Sequence, residues 1–199
     1  MPVVSIAEDL QDLPQGWFHH GPQVLALIEQ HRPKVVVELG SWLGASAIAM
    51  ARAVRRWNGT VTCIDTWTGH LNDEGGTADP SQAPLMILSC ARAMVEAGVS
   101  ANIRLIPAAT VDVARSWQQP IDFLFIDADH SQNGCAADLE MWFPHVRAGG
   151  VIAGDDYNHP NYPGVSRAWD AFELRHGLRL TRGEPLESGI RLIYGVVEH

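Results

Sequence analysis

A doubly wound α/β domain is what this sequence predicts: seven strands in a mostly parallel sheet, helices on both faces, and a C-terminal antiparallel hairpin. Three observations lead there. Short apolar runs rich in Val, Ile and Phe alternate with longer segments of helical period, and strands separated by helices imply right-handed crossovers in a parallel sheet. The last two apolar runs have no helix between them, which makes them antiparallel neighbours. The chain has 199 residues with no internal repeat and no low-complexity linker, the length of one domain with a sheet covered on both sides.

Taken in order, residues 1–33 read as a helical lead-in or cap and residues 34–199 as a single domain. KVVVEL is the first strand, and GASAIAMARAVRRW follows as a helix whose Ile48, Ala49, Arg52 and Ala53 suit one apolar face. Its RAVRR run reads as the solvated face. TVTCID is the second strand. A polar, Gly-rich loop from Thr68 to Pro80 leads into a helix over APLMILSCARAMVEAG, stopped by Gly98. NIRLIP, a short helix TVDVARSW, and IDFLFID continue the alternation. QNGCAADLEMWFPHV is helical, the turn RAGG opens the strand GGVIAGDD, and GVSRAWDAFELRHG is the last helix. LRLTR and IRLIYGVV form the closing hairpin.

Composition is that of a soluble globular protein, 46% hydrophobic and 19% charged. The 14 basic and 23 acidic residues give a net charge of −9, which argues against a nucleic-acid partner. Cys63, Cys90 and Cys135 are scattered and form no CxxC pair, so they read as reduced thiols rather than a disulfide frame or zinc site. No signal segment opens the chain, and no apolar run reaches membrane-spanning length. The expected setting is cytoplasmic, without membrane partners and with self-association into a homo-oligomer left open.

In doubly wound sheets, ligands bind beyond the carboxyl ends of the strands. Five carboxylates stand at such ends: Asp65 after the second strand, Asp127 and Asp129 after the fourth, Asp155 and Asp156 after the fifth. Solvated acids and helix caps account for most aspartates in proteins. A cluster at neighbouring strand ends favours a site instead. After the first strand, ELGSWLGAS carries Gly40 for a sharp turn and Gly44 where backbone can approach a ligand at a helix N-terminus. A phosphate loop would need GK[ST] after it, and Ala45 and Ser46 stand there. A dinucleotide fingerprint would need glycine where Trp42 stands. The loop is not shaped for a pyrophosphate.

Glu38, Gly40, Gly44 and Ser46 form E-x-G-x-x-x-G-x-S, which resembles the first motif of class I S-adenosylmethionine-dependent O-methyltransferases, a Rossmann-like family. IDADHSQNGCAADLEMWFPHVRAGGVIAGDDY is similar to the fourth-to-fifth-strand region of its small bacterial metal-dependent members, the sugar, natural-product and catechol-type branches, and PNYPGVSRAWDAF to the helix that follows. The resemblance runs from about Val35 to Val197. It implies that Asp65 grips the ribose hydroxyls, that the Gly40–Gly44 turn receives the methionine portion, and that adenine lies near Ala108, Ala109 and Thr110. It further implies Mg²⁺ ligands at Asp127, Asp155 and Asp156, hard oxygen donors of the type that ion prefers. The acceptor is then a hydroxyl on a small molecule: a sugar, a glycosylated natural product or a phenol.

Such a hydroxyl must lose its proton to attack a methyl group. A neutral His130, with an unperturbed pKa of about 6.5, suits that task. It equally suits capping the next helix. Asp129 is a rival base and as plausibly a cofactor contact. His19, His20 and His159 fold over a substrate or remain loop histidines; Trp17, Phe18, Trp67 and Tyr157 form an aromatic wall or ordinary core. Two rival functions share the fold, a nicotinamide-dependent oxidoreductase and an interaction protein without chemistry. The intact glycines and acids speak against the second.

Overall fold

The computed structural model describes residues 6–14, 18–69, 71–72, 76 and 78–198. A seven-stranded sheet forms the centre, in the order β3-β2-β1-β4-β5-β7-β6. The strands are β1 (Val35–Leu39), β2 (Thr60–Asp65), β3 (Ile103–Pro107), β4 (Ile121–Ile126), β5 (Val146–Tyr157), β6 (Thr181–Arg182) and β7 (Arg191–Val196). The first five run parallel, and β7 is antiparallel to both β5 and β6. The predicted fold class is observed, hairpin included, although β6 is only two residues long.

Period-two alternation sends side chains to two cores. Val36, Val61, Cys63, Phe123, Phe125, Val151 and Ala153 face one layer, made by α1 (Ile6–Asp9), α2 (Gly21–His31), α3 (Ala45–Val54) and α4 (Ala83–Glu96). Val37, Leu39, Ile64, Leu124, Ile126 and Ile152 face the other, with α5 (Thr110–Ala114), α6 (Gln132–Trp142) and α7 (Pro163–His176). Val24, Leu25 and Ile28 of α2 are fully buried in the first core. Each such burial stabilises by about 1.5–3 kcal/mol as an upper figure.

Three expectations change. The helix α3 is not amphipathic: every residue except Arg52 is buried, because α1 and α2 cover the side that the sheet does not. The RAVRR run is accordingly not a solvated face. Arg56 Nη1 donates to both carboxylate oxygens of Asp9, at 3.0 and 2.8 Å, and its Nη2 to Glu29, while Arg52 Nη1 donates to the carbonyls of Asp9 and Gln11. Arginines thus tie both N-terminal helices to α3. In β5, the RAGG turn is an excursion within the strand: Ile121 pairs with Val146, and the pairing of Phe123 resumes at Val151.

Candidate active site

The order of strands reverses between β1 and β4, which opens a crevice at their carboxyl ends. The Gly40–Gly44 loop and the acids after β4 meet there in backbone contact. Gly40 has φ 81°, and a Cβ on it would stand 2.0 Å from the Asp127 carbonyl oxygen. Only glycine fits. Gly44, at φ 88°, opens α3, and its N–H donates to the Ser41 carbonyl at 2.7 Å.

Asp65 organises this loop. Its Oδ2 accepts from the N–H groups of Ser41 and Trp42, both at 2.8 Å, and its Oδ1 from that of Trp67 at 2.6 Å. The fully buried Trp67 donates its Nε1–H to the Trp42 carbonyl at 2.7 Å. Trp42 and Trp67 both have positive φ, 45° and 54°, a conformation bulky residues adopt only when surroundings impose it. Trp67 is therefore core, and Asp65 has a loop-holding task that its motif does not announce.

Glu38 is completely buried beneath the loop. Its Oε2 accepts from the Ser41 hydroxyl, and its Oε1 has no hydrogen-bond partner. Burial pushes its pKa up to about 7, against the opposing pull of Ser41, Ser46 and Cys63. Ala109 is the N-cap residue of α5. The next residue, Thr110, donates its hydroxyl to Asp138 of α6, a buried acid that burial pushes up to about 7. Sequence reading missed Asp138, since one acid in CAADLEMW looks like any polar helix position.

At the ends of β4 and β5, the ligand atoms of Asp127, His130 and Asp156 lie within 4.8 Å of one another, the one such group among the described residues. His130 Nε2 is 2.9 Å from Asp156 Oδ2 and 3.5 Å from Asp127 Oδ1. Burial and the charges of Asp155 and Asp156 push Asp127 upward, with His130 opposing. Burial works against a charge on His130, but Asp127 and Asp156 outweigh it and raise its pKa. The acids that face the ring thus favour its protonated form. The two carboxylates supply the oxygen donors that a hard divalent cation such as Mg²⁺ takes, while the imidazole beside them is not a donor of that type.

Asp155, expected in the same cluster, is turned elsewhere. It is buried, and its Oδ1 pairs with His20 Nδ1 at 2.6 Å and accepts the Asp156 N–H at 2.7 Å. It does not join the group formed by Asp127, His130 and Asp156. The partner is 135 residues away in sequence, which is why no local pattern signalled it. Asp129 forms a local turn: its Oδ1 accepts from the Ser131 N–H at 2.8 Å, and Ser131 caps α6 by accepting from Gly134. Of the two candidate bases, His130 is the one beside the paired acids.

Among the remaining candidates, His19 is exposed, while His20 is buried against Asp155 rather than standing in a loop. Tyr162 is sandwiched between His130 and His159, at ring distances of 4.5 and 4.1 Å, so His159 reaches the site only through it. Phe18 packs edge-on against Phe125. Tyr157 points away, its hydroxyl donating to Asp170 and its ring beneath Arg182. Trp17 lies outside the described residues. All three cysteines are free and buried. No described helix is long and apolar enough to cross a membrane.

A family model described as a methyltransferase domain matches residues 37–157. A protein of Sinorhizobium fredii, carrying the name Uncharacterized protein y4gI, is 26% identical over 143 residues, 71% of this chain and 15% of its own length. The chain thus spans a small part of that curated relative. Solved structures share the fold. An O-methyltransferase from Bacillus cereus in complex with SAH superposes with a TM-score of 0.70 at 20% identity, covering 96% of this chain and 90% of that one. The O-methyltransferase TomG from Streptomyces achromogenes, involved in tomaymycin synthesis and in complex with SAM, gives 0.70 at 19% identity, covering 98% and 89%.

Proposed function

This chain belongs to the methyltransferase domain family, and on that premise we propose that it moves the methyl group of S-adenosylmethionine to a hydroxyl oxygen of a small molecule, assisted by Mg²⁺. The observation that carries the reading is the convergence of Asp127, Asp156 and His130 beside the Gly40–Gly44 loop. Glu38, Gly40, Gly44 and Ser46 receive the methionine portion, Asp65 the ribose through remaining acceptor capacity, and Ala109 the adenine, with Asp129 at the same edge. The neighbours that carry SAM or SAH in their crystal structures support this choice of donor.

Methyl transfer from a sulfonium is an in-line displacement whose leaving group is already good, so the protein must align the acceptor oxygen and make it nucleophilic. Asp127 and Asp156 would hold the cation, which would lower the hydroxyl pKa and orient the oxygen as a Lewis acid; Asp155, the third expected ligand, would support them from behind. With a cation between these acids His130 would face less negative charge, and as a neutral imidazole it would accept the hydroxyl proton. Tyr162, stacked on His130, fixes the plane of that ring. The new oxygen–carbon bond forms as the carbon–sulfur bond breaks; S-adenosylhomocysteine leaves, and the proton resides on His130.

The test is a screen of sugars, glycosides and phenols with labelled methyl donor, run with Mg²⁺ and with EDTA. Label should pass to a hydroxyl acceptor, fall by roughly a hundredfold or more in EDTA, and return with Mg²⁺. Undiminished transfer in EDTA would remove the metal from the reading. Donor affinity by calorimetry should be the same in both buffers, because the sulfonium requires no cation.

A further inference from the structure

His20 stands at the start of α2, where its backbone carbonyl accepts from Gln23 and Val24 at 2.9 and 3.0 Å. An N-cap residue ordinarily turns its side chain onto its own helix. The His20 side chain makes no such bond. Instead the ring is fully buried and reaches two distant places: Nδ1 lies 2.6 Å from Asp155 Oδ1, and Nε2 lies 3.3 Å from the Ile190 carbonyl. The Ile190 carbonyl can only accept, and an ionised Asp155 likewise, so each nitrogen that carries a proton has a partner.

Those two targets flank an irregularity. Between β5 and β7 the pairing passes from Gly154 opposite Ile193 to Tyr157 opposite Arg191, which leaves one extra residue on β5. Asp155 and Asp156 make up this bulge, and Asp156 has φ 62°. A bulge re-aims a side chain at the expense of ladder hydrogen bonds. Here the missing restraint comes from side chains. His20 holds Asp155, and the same Asp155 oxygen accepts the Asp156 N–H at 2.7 Å, securing the left-handed turn that brings the Asp156 carboxylate to His130. The mount is rigid, since Val24, Leu25 and Ile28 behind His20 are wholly buried.

We propose that His20 is a positioning residue of the acidic edge: acting through Asp155, it fixes the bulge that turns Asp156 toward Asp127. The inference rests on the reading that Asp127 and Asp156 take a divalent cation, and it adds the N-terminal helix to what sets the affinity for that cation. Residues that orient metal ligands from behind typically change metal affinity about 10–100-fold when replaced.

The experiment measures Mn²⁺ binding to the full-length chain by the loss of the free-ion electron paramagnetic resonance signal, in the wild type and in His20→Asn, His20→Gln and His20→Ala. An Asn amide can place its N–H where Nδ1 stands, and a Gln amide where Nε2 stands. His20→Asn should therefore bind Mn²⁺ within about threefold of wild type, while His20→Gln and His20→Ala bind about 10–100-fold more weakly. Methyl-donor affinity, read by calorimetry, should be the same in all four. Equal Mn²⁺ affinity in wild type, His20→Asn and His20→Gln overturns the proposal. So does a parallel loss of donor affinity, which would mark His20 as a general brace of the fold. If His20→Ala does not fold, the Asn and Gln pair decides alone. A wild type that binds no Mn²⁺ would fail the cation reading itself, and this inference with it, a result distinct from a wild type that binds while the variants bind equally well.

Discussion

The loop after β1 and the acids after β4 and β5 are neighbours in space, yet the protein treats their polar groups in opposite ways. Around Gly40–Gly44, the loop amides of Ser41 and Trp42 and that of Trp67 all end on Asp65, and two strained tryptophans are locked in place. At the acidic edge, Asp127 and Asp156 share one imidazole, and burial and like charge raise the pKa of Asp127. The first region is organised before any ligand arrives. The second holds charge that the chain only partly compensates, the condition that a bound cation relieves. On the function proposed above, preorganisation would serve recognition of the donor, and unresolved charge the capture of a metal.

The largest effect should come from the point where the two regions touch. Gly40→Ala would drive a methyl group into the Asp127 backbone and should destabilise the protein by at least about 3 kcal/mol, read as a lower midpoint in urea. Gly98→Ala is the control: φ is 68° there too, but nothing lies within 4 Å, so only the backbone strain of about 1–2 kcal/mol applies. Similar losses in both would mean that the close approach at Gly40 carries no weight.

Next in size, Asp65→Ala should weaken methyl-donor binding by about 1.5–3 kcal/mol, since charged acceptors make the stronger hydrogen bonds. It should also speed proteolysis at the Ser41–Trp42 loop, which loses its restraint. Unchanged affinity by calorimetry would mean that the loop, as organised by Asp65, contributes nothing to donor recognition.

The smallest effect separates the two regions most clearly. Asp127→Asn removes one of the crowded charges, so in EDTA it should melt a few degrees above the wild type. Added Mg²⁺ should raise the wild-type melting temperature and leave the variant unmoved. A variant less stable than the wild type in EDTA would show that the edge is already balanced without a cation, and the contrast drawn above would fail.

Much of this was legible in the sequence because it is local. Continuous apolar runs such as KVVVEL and IDFLFI marked the strands, and the spacing from Glu38 to Ser46 marked the loop. Asp127 and Asp156 were brought to one edge by the rule that strand ends gather ligands. What escaped is contact between distant segments. The pairing of His20 with Asp155 spans 135 residues, and nothing in FHHGPQ distinguishes the buried histidine from its exposed neighbour. Arg56 looked solvated because its partners Asp9 and Glu29 lie on helices whose docking no periodicity reveals. The charge state of His130 also depends on Asp156, supplied by a different strand end. Residue type announced the chemistry; side-chain direction required the fold.

The left-handed turn at Asp156 narrows which amino acids the position admits. A φ of 62° favours glycine, with asparagine and aspartate the other residues that tolerate it readily. Glycine would relax the backbone and bring no oxygen. Glutamate reaches farther but suits the turn poorly, as would any β-branched residue. Only aspartate and asparagine satisfy the backbone and the chemistry together, and they differ by one charge. Exchanging the two would leave the chain's path intact while resetting how many negative charges the edge presents, so natural variation at this position has a single conservative route by which to tune the site.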